Sequence, residues 1–152
     1  VIGFSAGGHL ASTISTHYAD KVYDVKDNVS ARPDFSLLIY PVITMDTTFT
    51  HRGTRNNLIG LDPTEKNVFR FSNEKQITAD TPPAFLVHSS DDNAVPVKNS
   101  INYYMGLRKN KIPTELHIFQ KGGHGYGLSP NGGTESSWPD LCIRWLKAMG
   151  LI

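Results

Sequence analysis

Cysteine is almost absent from these 152 residues: Cys142 stands alone, which excludes an internal disulfide framework and a cysteine-based metal site. The six histidines show no tight ligand spacing, so no metal site is expected from them. An excess of charge of one sign is missing too. Fifteen Lys and Arg against fourteen Asp and Glu leave a formal net charge of +1. With no basic run and no aromatic-interleaved patch, there is no electrostatic case for nucleic acid or an anionic membrane as partner. No apolar stretch approaches the length of a membrane span. Repeats, low-complexity tracts and linkers are lacking. The chain does not start with Met, and no signal peptide is legible in it. What remains is an ordinary globular composition, 39% hydrophobic and 19% charged, in a chain long enough to bury one core.

Hydrophobic patterning supplies the elements. Residues 6 to about 20 read as a helix with Leu10, Ile14, His17 and Tyr18 on one face. Phe35-Ser36-Leu37-Leu38-Ile39-Tyr40 and Ala84-Phe85-Leu86-Val87-His88-Ser89 are short, nearly continuous apolar runs, as in strands buried on both faces of a parallel sheet. Residues 114–119 form a further strand. Between the two apolar runs, about 44–83 is polar and broken by Gly53, Gly60 and Pro63. It reads as an excursion over the active site, with short helices near 63–71 and 73–77. A helix over 97–109 carries Val97, Ile101, Tyr104 and Met105 on one stripe. The last helix keeps i, i+3, i+4, i+7 spacing through Trp138, Leu141, Cys142, Trp145, Leu146 and Met149, with Ser136 or Ser137 as cap and Gly150 at its end. This alternation predicts an α/β fold, a mostly parallel sheet flanked by helices, in a single domain over 1–152.

In parallel α/β sheets, chemistry collects beyond the carboxyl ends of the strands. Three reactive groups follow three strand ends in the order Ser5, Asp91 or Asp92, His124. Gly3-Phe4-Ser5-Ala6-Gly7 has the Gly-x-Ser-x-Gly form of a nucleophile elbow, a sharp strand-to-helix turn that lifts a serine hydroxyl to the head of a helix. Gly3 and Gly7 are expected to give the turn its room. The backbone N–H of Ala6 is the expected oxyanion donor. Serine is a weak nucleophile unless a base takes its proton and an acid orients that base. His124, between Gly123 and Gly125, is the candidate base.

The chain resembles α/β-hydrolase esterases, particularly the bacterial acetylxylan or feruloyl esterase-like branch. The resemblance rests on GFSAGGHLA at 3–11, HRGTRNNLIG at 51–60, TPPAFLVH at 81–88 and GGHGYGL at 122–128. It implies hydrolysis of a carboxylic ester through an acyl-enzyme, on small acyl esters of plant cell-wall polysaccharide. In that scheme Ser5 is the nucleophile, His124 the base and Asp92 the acid, because Asp92-Asn93-Ala94-Val95-Pro96 fits the acid turn of many such hydrolases; Asp91 is the reserve. No metal or organic cofactor is implied, and the partner is a small-molecule or oligosaccharide ester in a secreted or periplasmic setting. The chain corresponds to the C-terminal portion of that fold, with the N-terminal strands missing and a second oxyanion donor among them, so the isolated chain is expected to turn over esters poorly. A serine peptidase of the prolyl-oligopeptidase type shares the fold and the residue order, and an inactive hydrolase serving as a binding module is the non-enzymatic alternative.

The remaining polar residues divide between site and scaffold. His51 and Arg55 are candidates for binding substrate from a loop roofing the site, or for a structural turn with Asn56 and Asn57. Tyr126 either lines the substrate pocket or packs. His9 is expected to pack on its helix, His88 to be buried and bonded to backbone, and His117 to be exposed; His17 has no evident partner. Cys142 reads as an apolar filler of the last helix.

Overall fold

Four strands, all parallel, lie side by side in chain order in a computed structural model that describes residues 1–22, 24, 29–128 and 132–152. They are β1 (Ile2–Phe4), β2 (Ser36–Ile39), β3 (Ala84–Ser89) and β4 (Thr114–Phe119). Gly3, Leu38, Leu86 and Leu116 share one row of the sheet. Helix α1 (Ala6–His17) follows β1; α2 (Arg52–Ile59), α3 (Glu65–Phe71) and a 3₁₀ turn at Asn73–Lys75 lie between β2 and β3. Helix α4 (Lys98–Lys109) joins β3 to β4, and a 3₁₀ turn at Thr134–Ser137 leads into α5 (Trp138–Ala148). Among the described residues no helix is long and apolar enough to cross a membrane.

Every residue of β3 is buried, which is why its sequence reads as a continuous apolar run. Successive side chains point to opposite faces. Leu38, Ala84 and Leu86 pack with Ala11, Tyr103 and Leu107, on the side of α1 and α4. Ile39, Phe85 and Val87 pack with Trp138, Cys142 and Trp145 of α5 on the other. The stripe of α5 is therefore core, with Leu141, Leu146 and Met149 packed against it. Gly150 N–H and Leu151 N–H close the helix on Lys147 O and Leu146 O. Its start differs from expectation: Ser136 and Ser137 hydroxyls donate to Gly133 O and Thr134 O and cap nothing.

Two helices turn a different face inward from the one expected. In α1 the buried residues are Gly8, His9, Ala11, Ser12 and Ser15, while Leu10 is 64% exposed. The cause is close approach. A Cβ on Gly3 would stand 2.2 Å from Gly7 O, and one on Gly8 would stand 2.5 Å from the Pro41 Cβ. Only small side chains fit such a contact, and Ser12 and Ser15 satisfy their hydroxyls on His9 O and Ala11 O. A Cβ on Gly7 would meet nothing within 4 Å, so the room in the turn comes from Gly3 and Gly8 rather than Gly3 and Gly7. In α4 the buried residues are Asn99, Ser100, Tyr103 and Leu107, and Met105 is 59% exposed. Asn99 explains that rotation: its Oδ1 accepts from Ile43 N and Thr44 N, and its Nδ2 donates to Phe49 O and Pro96 O.

Within 44–83, α3 lies inside the expected 63–71, but the helix expected near 73–77 is only the short 3₁₀ turn. Helix α2 was not expected. Its only large apolar side chains are Leu58 and Ile59 at its end, none of its residues is buried, and His51 caps it through Nδ1 with the Thr54 N–H. The two glycines separate a packing cost from a propensity effect. Gly3→Ala should destabilise the chain by about 1–3 kcal/mol through overpacking. Gly7→Ala should be neutral or stabilising by up to about 1 kcal/mol, the helix-propensity difference. Urea unfolding followed by far-UV circular dichroism measures both, and equal effects would contradict the close approach.

Candidate active site

Ser5 sits between β1 and α1 at φ +53°, a left-handed conformation rare for a residue with a Cβ. Its backbone is held from both sides. Ser5 N–H donates to Ile39 O at 3.0 Å, and Ser5 O accepts from Gly8 N at 2.9 Å and Val42 N at 3.0 Å. A serine ahead of a helix usually turns its hydroxyl onto the first-turn N–H groups. Here it caps nothing and instead lies 2.8 Å from His124 Nε2. Ala6 opens α1, so its N–H has no acceptor within the helix.

The turn after β3 builds the carboxylate. Asp92 Oδ1 accepts from the backbone N–H groups of Ala94 at 2.9 Å and Val95 at 2.8 Å. Its Oδ2 stands 2.7 Å from His124 Nδ1 and 3.2 Å from His88 Nε2. Burial is the largest influence on this carboxyl and would raise its pKa. The hydrogen bonds from His88, Val95 N–H, His124 and Ala94 N–H together outweigh it and hold the pKa at about 2. An ionised carboxylate can only accept, so His124 carries its proton on Nδ1, and Nε2 is free to accept from the Ser5 hydroxyl. His88 is settled the same way. Its Nε2 is 2.9 Å from Val95 O and must donate, leaving Nδ1 to accept from the Ser100 hydroxyl at 2.7 Å. Asp91 contacts a different group: its Oδ1 accepts from Gly123 N at 2.8 Å, one residue before the imidazole.

The other expected residues spread out. His51, with Ala6, His9, Leu10, Leu58 and Phe71, lines a cavity of about 640 Å³ beside the head of α1. Arg55 is turned away from it, its Nε donating to Met45 O at 3.1 Å. Tyr126 is 5% exposed, its ring 4.7 Å from that of Tyr40 within the α5-side core. His9 donates from Nε2 to Phe71 O at 2.8 Å and is buried, and that burial lowers its pKa. His117 is only half-buried and lies 2.6 Å from Glu115 Oε1, and His17 meets the Thr16 hydroxyl at 2.8 Å. One contributor, Tyr40, is absent from the sequence reading of the site, and Asp91, read there as the reserve acid, has another role. Tyr40 packs edge-on against His124, and Asp91 tethers the histidine loop; Tyr40 left only the trace of an aromatic at a strand end before Pro41.

The sequence profile of the prolyl oligopeptidase family matches residues 1–148. The chain is 40% identical over 131 residues to endo-1,4-beta-xylanase B of Butyrivibrio fibrisolvens, covering 82% of this chain and 20% of that protein. It is 36% identical over 159 residues to the acetylxylan esterase of Xylanibacter ruminicola, covering 98% of this chain and 30% of that one. Its fold superposes on the crystal structure of an acetyl ester-xyloside bifunctional hydrolase from Caldicellulosiruptor lactoaceticus with a TM-score of 0.93 and 44% identity, covering 100% of this chain and 57% of the other. The chain thus spans 20–30% of the length of these curated relatives.

The low pKa of Asp92 has a sign that can be measured. Its folded value of about 2 lies below the ordinary 3.8, so the stability contributed by its charge is complete above 3.8 and is lost as pH falls through about 2. The difference in unfolding free energy between the natural chain and Asp92→Asn should be constant above pH 4 and change in favour of the variant below it. Urea unfolding at successive pH values tests this; a constant difference down to pH 2 would contradict the assignment.

Proposed function

The chain belongs to the prolyl oligopeptidase family of α/β-hydrolases, and on that premise we propose that it is the catalytic part of a serine carboxylic-ester hydrolase. Its substrates are small acyl esters, of acetyl or feruloyl type, on plant cell-wall polysaccharide. One observation carries the reading: the unbroken hydrogen-bond chain from Ser5 Oγ through His124, 2.8 Å and then 2.7 Å, to Asp92. The substrate class is supported by the relatives, an acetylxylan esterase and an acetyl ester-xyloside hydrolase at 36% and 44% identity.

In this reading Ser5 Oγ attacks the ester carbonyl carbon while its proton passes to His124 Nε2. Asp92 stabilises the imidazolium without taking the proton. Charge develops on the carbonyl oxygen, and the Ala6 N–H meets it; one such donor is worth about 10²–10³ in turnover. Collapse of the tetrahedral intermediate breaks the C–O bond, and the sugar alcohol leaves with the proton from His124. Water then gives its proton to His124, attacks acyl-Ser5 and releases the carboxylic acid, returning the hydroxyl to Ser5. The cavity beside Ala6, at about 640 Å³, falls within the range of small-molecule sites and leaves room for a sugar or an aromatic acyl group, with His51 on its wall.

The family name itself favours a second reading, a peptidase working through the same residues. A panel of acetylated xylo-oligosaccharides, feruloyl esters and prolyl amides separates the two. Ester cleavage is expected, and cleavage of amides alone would overturn the proposal. A fluorophosphonate should label the chain at Ser5, as mapped by peptide mass spectrometry. Ser5→Ala or His124→Ala should lower ester turnover by about 10⁴–10⁶-fold while the chain stays folded. An adduct elsewhere, or none on a folded chain, would support the binding-module alternative.

A further inference from the structure

The turn after β2 contributes nothing to the Ser5–His124–Asp92 chain, yet it is bonded to both sides of it. Ile39 O and Val42 N hold the backbone of Ser5. Between them stands Tyr40, whose ring meets the His124 imidazole edge-on with centroids 4.9 Å apart. Its hydroxyl accepts from Gly127 N at 2.9 Å, three residues beyond that histidine. Tyr40 is also at φ +38°, a conformation its Cβ opposes and the surroundings must enforce. Tyr40 N–H, bonded to Val87 O at 2.7 Å, keeps it in line with β3.

The loop carrying His124 needs such support. Gly122, Gly123, Gly125 and Gly127 all have positive φ and bring no side chains, so the packing of the loop is left to the buried Tyr126, and His124 is exposed. Among the described residues a few hydrogen bonds tether it around the imidazole. Asp91 holds Gly123 N–H, Asp92 holds the imidazole, Tyr40 holds Gly127 N–H, and Trp138 Nε1–H donates to Gly127 O at 2.8 Å. Of these, Tyr40 alone touches both the imidazole and the loop backbone and is also continuous with the turn bonded to Ser5.

We propose that Tyr40 is a positioning residue for His124: its ring backs the imidazole and its hydroxyl pins Gly127, which keeps Nε2 within hydrogen-bond reach of the Ser5 hydroxyl. The inference rests on the esterase reading for its consequence in turnover, but the geometry can be measured without turnover.

Tyr40→Phe removes only the hydroxyl. Labelling of Ser5 by a fluorophosphonate should slow about tenfold, with KM for an acetyl ester within twofold of the natural chain and unfolding temperature nearly unchanged. The His124 Nδ1 proton, followed by NMR, should exchange with solvent about tenfold faster. Tyr40→Leu, which also removes the ring, should slow labelling about a hundredfold. A purely structural role would lower the unfolding temperature of Tyr40→Phe yet leave labelling and Nδ1 exchange at natural values, and that result overturns the proposal. In the natural chain itself the Gly127 amide should exchange far more slowly than that of Gly125; equal rates would also overturn it, whether or not a variant folds. If the natural chain is not labelled at Ser5, the esterase reading fails, and the two exchange measurements still decide the role of Tyr40.

Discussion

The site depends on how closely α1 is pressed against the end of β1. With Gly3 nearly touching the carbonyl of Gly7, and Gly8 lying on Pro41, the chain has one sharp path from strand to helix, and Ser5 takes the left-handed conformation at its corner. That constraint spreads outward. Where α1 is pressed close, its buried side chains are small, Ala11, Ser12 and Ser15 in place of leucines, with His9 the one large buried side chain, and Leu10 lies on the wall of the cavity. It also fixes the serine hydroxyl: a corner residue at positive φ does not cap its helix, and the freed Oγ reaches the histidine loop.

Asp92 supplies the second fixed point. One of its oxygens closes the turn on Ala94 and Val95, so the carboxylate cannot swing, while the other faces two histidines. Burial alone would push such a group towards neutrality, and a neutral acid could donate to His124 Nδ1 and reverse its tautomer. The donors around Asp92 outweigh burial and keep it charged. Four hydrogen bonds to one carboxylate thus decide which nitrogen of His124 faces the serine.

Much of this was legible from residue order, and the remainder failed for definable reasons. Strand β3 announces itself because a strand covered on both faces has to be apolar throughout; β4, at the sheet edge with no residue buried, interleaves polar and apolar residues, and the limits of both match the sequence. The three polar turns were legible because parallel strands deliver their successors to the same edge. The inward faces of α1 and α4 were not, because periodicity counts large apolar residues. One face is set by close approach and the other by the hydrogen bonds of Asn99. Helix α2 holds only two large apolar residues, Leu58 and Ile59, both in its last turn, too few to mark a helix within a polar stretch. Tyr40 left no more than an aromatic at a strand end, since its contacts with His124 and Gly127 cross 84 and 87 positions of sequence and follow no local pattern.

The sheet register explains why those distant contacts arise. Phe4, Ile39 and Val87 share a row with His117, and there β1 and β2 end. Strands β3 and β4 run two residues further, to Ser89 and Phe119, an extension of roughly 6–7 Å at the usual rise per residue. The acid and histidine turns therefore start beyond the level of Ser5, and the imidazole must fold back over the short strands to reach it. The group lying under a returning loop is the one at the end of the short neighbouring strand, and that residue is Tyr40. Unequal strand lengths thus create both the space above Ser5 and the need for a side chain beneath His124, which ties the strained backbone of Tyr40 to the same geometry that strains Ser5.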